Sequence, residues 1–122
     1  PNCLDESKYL KDYYLKNSHR GMSVIGLAFE KTDDFQRAAN NVKRFTQRLG
    51  ITYPVLVTIN RSKIKTVFPG LENFMGYPTT IFLDKQRNIR KIHAGFSGPA
   101  TGPEYEKFKD EFERFMDKLL SE

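Results

Sequence analysis

Two short stretches of this chain carry residue types that could do chemistry. The first is Pro1-Asn2-Cys3, where the cysteine opens a segment from Cys3 to about Asn17 that reads as a helix. A thiol so placed can take part in thiol–disulfide exchange; the plainer alternative is an inert terminal cysteine. The second is Gly76-Tyr77-Pro78-Thr79-Thr80. An X-Pro bond gives up little energy to become cis, so Tyr77-Pro78 is a candidate cis peptide, against the ordinary alternative of a trans proline starting a strand. Cys3 is the only cysteine, which excludes an internal disulfide and a zinc site built on several cysteines. His19 and His93 lack ligand spacing and read as surface or strand-end residues, so no metal site is expected.

The elements that would position these residues follow from apolar spacing. Leu4, Leu10, Tyr13 and Tyr14 give the first helix a rough apolar face, with Asp5 and Glu6 at its front and Lys16 at its back, as the helix dipole favours. Gly21 closes that segment. Met22 to Phe29 is nearly continuously apolar and reads as a strand, and Gly26 within it suggests close packing by a helix. Glu30 follows at its carboxyl end. Thr32 is the expected N-cap of a second helix with Asp33 and Asp34 in its first turn. Phe35, Ala38, Ala39, Val42, Phe45 and Leu49 form its core stripe, and Gly50 stops it. Ile51 to Ile59 is expected to be extended or an edge strand, because Pro54 argues against a central one. Asn60 to Pro69 is the least readable stretch, and a short helix from about Leu71 to Met75 would lead to Gly76. Thr79 to Asp84 reads as a strand covered on both faces. With Ile89 to Ala94 it forms an antiparallel hairpin across the polar turn Lys85–Asn88, which lacks the usual Asp-Gly. Gly95 to Pro103 is a loop, and Pro103 opens a last amphipathic helix bearing Tyr105, Phe108, Phe112, Phe115, Met116 and Leu119 on one face.

At 122 residues the chain is read as one domain, residues 1–122. Its net charge of +5 is read as a solvated basic surface, because Lys and Arg alternate with acids and Arg61-Ser62-Lys63-Ile64-Lys65 has no interleaved aromatics. No apolar run approaches a membrane span. Pro1 is read as a point inside a longer chain, since natural chains begin with Met or a processed end.

Pro1-Asn2-Cys3 set against Gly76-Tyr77-Pro78-Thr79-Thr80 resembles the thioredoxin superfamily, in particular its TlpA/ResA-like extracytoplasmic branch. That family carries Trp-Cys-x-x-Cys at the start of a long helix and a cis-Pro-Thr loop facing it. Pro1-Asn2 would be the x-x pair and Cys3 the second cysteine, the first falling immediately before Pro1. The resemblance extends through Val24–Glu30, Gly76–Asp84, Ile89–Phe96 and the closing helix, and Gly95-Phe96-Ser97-Gly98-Pro99 resembles a segment of the same branch. It implies an α/β fold of thioredoxin-like type, three layers α/β/α around a mixed sheet, here without its N-terminal strand. In that fold the strand before CxxC lies between Met22–Phe29 and Thr79–Asp84.

By the same resemblance the activity is thiol–disulfide exchange on protein disulfides, without a cofactor. Cys3 would be the buried resolving thiol, needing a base to become thiolate. Pro1, Asn2, Gly76, Tyr77, Pro78, Thr79 and Phe96 would form the substrate surface, the Tyr77–Thr79 backbone pairing with an extended peptide. Partners would be protein or peptide thiols and disulfides and a membrane-bound or soluble redox protein, with no nucleic acid. The place of action would be extracytoplasmic, in or facing the periplasm. A second reading is a thioredoxin-fold module that holds peptides in the Tyr77-Pro78 groove without redox chemistry. A peroxiredoxin is a weaker third, because no Pro-x-x-x-Thr-x-x-Cys context is present.

Overall fold

A computed structural model describes residues 2–30, 34–59 and 78–122. The chain is mixed α/β. Among the described residues it has helices α1 (Asn2–Asn17), α2 (Phe35–Leu49) and α3 (Pro103–Ser121). Its strands are β1 (Gly26–Glu30), β2 (Val55–Ile59), β3 (Thr79–Leu83) and β4 (Ile89–Ala94). The strands form two two-stranded sheets, β1 with β2 and β3 with β4. The chain divides into two compact units, Leu10–Phe74 and Pro1–Tyr9 with Met75–Glu122.

The Leu10–Phe74 unit is a βαβ arrangement. β1 and β2 run parallel with Gly26 opposite Val55 and Glu30 opposite Ile59, joined through α2, as a parallel pair requires a crossover. The strand begins later than its apolar pattern predicts. Met22 to Ile25 lies outside β1, because the partner strand starts only at Val55; its forerunner Pro54 has no N–H and serves as acceptor for the Gly26 N–H at 2.8 Å. α2 also starts later than expected. Its N-cap is Asp34, whose carboxylate accepts from the Arg37 N–H at 3.2 Å; the proposed cap Thr32, with Asp33, lies outside the described residues. Ala38 and Val42 are buried as the stripe requires, but Phe35, at the helix start, is 59% exposed. Gly21, which closes the 3-10 helix Ser18–Arg20 that follows α1, and Gly50, which closes α2, are both left-handed, at φ 90° and 68°, the conformation in which glycine has no Cβ penalty.

Gly26 is crowded, but by the neighbouring strand rather than by a helix. A Cβ there would lie 3.2 Å from Val55 Cγ2 and 3.4 Å from Tyr53 Cε1. Gly26→Ala is therefore expected to destabilise the protein by roughly 1–2 kcal/mol through overpacking. Urea unfolding checks this, and an unchanged midpoint would mean that Val55 and Tyr53 yield freely.

In the other unit, β3 and β4 pair antiparallel as expected, with Thr79 opposite Ala94 and a bulge between Phe82 and Leu83. The hairpin turn manages without Asp-Gly. Arg87 takes the left-handed conformation at φ 68°, and the Asp84 carboxylate accepts from the Gln86 and Asn88 N–H groups, both at 2.9 Å. These bonds, that of Asn88 first, hold the Asp84 carboxyl below its ordinary range. Arg90 then bridges Asp84 and Glu122. β3 is not covered on both faces as expected. Phe82 is buried against Phe112 and Phe115 of α3, whereas Leu83 is 53% exposed. β4 turns its polar residues inward: the Lys91 ammonium lies 5.1 Å from the Phe115 ring, and His93 stacks at 5.5 Å on Phe108. A cation over an aromatic face is favourable, so this lysine covers apolar surface with its stem and keeps a partner for its head.

The core of this unit is a cluster of rings. Tyr9 of α1 meets Phe108 at 5.6 Å and Phe112 at 5.4 Å, and Phe96 meets Phe108 at 4.8 Å, mostly edge to face. The Tyr9 hydroxyl reaches out to Glu113. Residues 31–33 and 60–77 lie outside the described residues, among them the proposed Leu71–Met75 helix, Gly76, Tyr77 and the Tyr77-Pro78 bond.

Candidate functional site

α1 begins at Asn2, so Cys3 stands in its first turn. The cysteine is exposed. This departs from the buried thiol expected of a resolving cysteine, because the first turn of α1 puts it on the solvent side. Glu6 lies three residues on, and residues three apart on a helix are neighbours on its surface. Glu6 is only 7% exposed. Its Oε1 accepts from the Thr80 hydroxyl at 3.0 Å, and its Oε2 is buried with no hydrogen-bond partner among the described residues. Burial pushes the Glu6 carboxyl up to about 7, against a smaller lowering by the Thr80 bond.

Three segments of the same unit meet here. The first is the opening of α1. The second is Pro78 with the start of β3; Pro78 is buried, and its carbonyl accepts from the Gly95 N–H at 2.7 Å. The third is the loop after β4, where Gly98 packs against α1: a Cβ there would lie 2.8 Å from Asp5 Oδ2 and could be admitted only if the Asp5 side chain shifted. Gly95 and Gly98 of the Gly-Phe-Ser-Gly-Pro segment thus have separate tasks, one tied to Pro78 and one admitting α1.

Of the residues proposed from sequence, Cys3, Pro78 and Thr79 are placed in this region, Thr79 opposite Ala94. Phe96 is not on an open surface. It is 8% exposed, with its ring against Tyr9, Tyr105 and Phe108; an apolar ring beside a helix stripe of aromatics is drawn inward. Pro1, Gly76, Tyr77 and the Asn2 side chain lie outside what is described.

The residues that sequence reasoning passed over are Glu6 and Thr80. By charge order Glu6 suits the front of the helix dipole, yet it shares a helix face with Leu10 and Tyr13, four and seven residues on. A carboxylate interrupting an apolar stripe was the available signal. Nothing local marks Thr80, which meets Glu6 across 74 residues of chain.

A carboxyl that titrates near neutrality has a proton affinity suited to acid–base work at pH 7, and this one stands one helical turn along α1 from the thiol. His93, opposite Thr80 in the hairpin, is held below its ordinary value by burial first and by Lys91 second. Elsewhere, an open cleft of about 290 Å³ between α2 and β2 is lined by Ala39, Val42, Thr46, Ile51, Tyr53, Val55 and Val57, with Lys43 its only ionisable amine. No cluster of His, Cys, Asp or Glu among the described residues could hold a metal ion. No helix among them is long and apolar enough to cross a membrane. Comparison with known proteins returns no match to any protein-family model, curated protein or solved structure.

Proposed function

We propose that this chain belongs to a thioredoxin-like, TlpA/ResA-type thiol–disulfide oxidoreductase acting on protein disulfides. The observation that carries the reading is the Cys3–Glu6–Thr80 arrangement: an exposed helix-start thiol, a buried carboxyl one turn away with one oxygen unsatisfied, and a hydroxyl two residues beyond Pro78 holding the other oxygen. A buried carboxylate is unfavourable unless it is paired, and here the proton it lacks or carries is within a helical turn of a sulfur.

In this reading the attacking cysteine stands immediately before Pro1. Its thiolate breaks a substrate disulfide, forming a mixed disulfide and expelling one substrate thiolate. Cys3 then passes its proton to the Glu6 carboxylate, attacks the mixed disulfide and releases the second substrate thiolate. The protein is left with a Cys–Cys disulfide. Two electrons have moved to the substrate, and two protons complete its two thiols, one of them delivered by way of Glu6. A redox partner restores the dithiol. The setting is extracytoplasmic, where disulfides persist.

The test is intact mass of the protein from its native source, with thiols alkylated before and after reduction. The expected result is two thiols, both appearing only after reduction. A serine, alanine or glycine at the position before Pro1 would sink the exchange mechanism and leave a peptide-holding module in its place.

A further inference from the structure

The solvent face of α2 has a composition unlike the solvent face of α1 or α3. Roughly 160° of its circumference, at 3.6 residues per turn, runs from Lys43 through Gln36, Gln47, Asn40, Arg44, Arg37 and Arg48 to Asn41. Every one of these eight residues is Arg, Lys, Asn or Gln. Arg37, Arg44 and Arg48 fall within roughly 40° of each other and form a straight stripe about 16 Å long. All three are exposed, as is Lys43.

A solvated helix face ordinarily mixes signs and pairs them at i,i+3 and i,i+4. α3 does so, with Lys109 on Glu106 and Arg114 on Asp110, both at 3.0 Å. α2 has no acid between Phe35 and Leu49, and among the described residues none of its cations meets a carboxylate; Arg44 bonds only the Asn41 amide oxygen, at 2.5 Å. Two placements also work against the free helix. Arg44 and Arg48 are like charges at i,i+4, and Arg37 stands in the first turn, at the positive end of the dipole. The charge of the whole chain follows the same division. Leu10–Phe74 carries eleven Lys and Arg against five Asp and Glu, net +6, while the rest carries nine against ten, net −1. Such asymmetry points to a polyanionic surface as partner.

We propose that the outward face of α2 docks this protein on an anionic phospholipid surface. The arc holds no aromatic or aliphatic side chain to anchor a protein interface and none to stack on single-stranded bases. Ala38 and Val42 on the opposite side of α2 are buried in the fold and the arc itself carries no apolar side chain, so contact through it is with headgroups, not acyl chains. A planar leaflet meets all three arginines of a straight stripe together, each able to take a phosphate in a bidentate fork. The phosphates of a duplex curve away from such a rod. The docking is independent of the redox chemistry.

The test is co-sedimentation of the whole chain with vesicles of phosphatidylcholine, alone or mixed with phosphatidylglycerol, across a salt series. Binding is expected only with phosphatidylglycerol, weakening steeply with salt. The triple variant Arg37→Gln, Arg44→Gln, Arg48→Gln, which keeps helix propensity, should lose on the order of 100-fold in partitioning, at about fivefold per cation. The control Lys107→Gln, Arg114→Gln, Lys118→Gln on α3 should lose far less. Three results would each overturn the proposal: no binding to phosphatidylglycerol vesicles at low salt, equal losses in the two triple variants, or a short DNA duplex binding more tightly than the vesicles at the same salt.

Discussion

Replacing Glu6 with Gln is expected to stabilise the protein at pH 8 by about 3 kcal/mol and to leave its stability at pH 4 nearly unchanged, read from urea unfolding at the two pH values. Burial raises the folded-state carboxyl from 4.5 to about 7. Between those values the folded protein holds a proton that the unfolded chain has lost. Stability therefore falls as pH rises from about 4.5, and the loss is complete once pH passes about 7. Glutamine keeps the shape and an oxygen for the Thr80 hydroxyl but has no charge to desolvate. Two further expectations separate this from general tightening. Thr80→Val should move the Glu6 titration upward, because it removes the bond that lowers it. The alkylation rate of Cys3 should show an inflection near neutrality that Glu6→Gln abolishes. Equal stabilisation by Glu6→Gln at both pH values would contradict the account.

The second large effect belongs to the ring cluster. Phe112→Ala should destabilise by roughly 3–5 kcal/mol, a large share of the roughly 5–15 kcal/mol that holds a domain together. Phe112 is 5% exposed, and its ring meets Tyr9, Phe82 and Phe108 at 5.4, 5.5 and 5.8 Å. Its loss would open a cavity between α1, β3 and α3 that edge-to-face rings cannot collapse to fill. Phe35→Ala on α2 removes the same side chain from a position 59% exposed and should change stability by less than about 1 kcal/mol. Near-equal effects of the two substitutions would mean that the cluster is not the core of its unit.

Much of the frame was legible beforehand. Gly21 and Gly50 end helices because a left-handed residue satisfies their last carbonyls, and that requirement is local. Pro103 starts α3 for an equally local reason. The hairpin followed from two apolar runs around a polar turn, although the turn closed through Asp84 and a left-handed Arg87 instead of Asp-Gly. The errors share a cause. Ile25 and Leu83 are apolar yet 63% and 53% exposed, because apolar character leads to burial only where something covers the residue. Pairing with β2 begins at Gly26, and β3 has one strand neighbour among the described residues. Phe96 reads as a loop residue because its neighbours are Gly, Ser and Pro, yet the rings that bury it lie in α1 and α3.

What the sequence by itself determined is the order and kind of elements, a cysteine at the start of a helix, and a proline at the entry of a strand, because caps, turns and periodicity act over a few residues. Only the tertiary structure decided that Glu6, chemically an ordinary surface acid, is the buried and neutralisable group beside that cysteine. Its proton affinity is set by the water that β3 and Thr80 displace, and no spacing within α1 records which strand will arrive there.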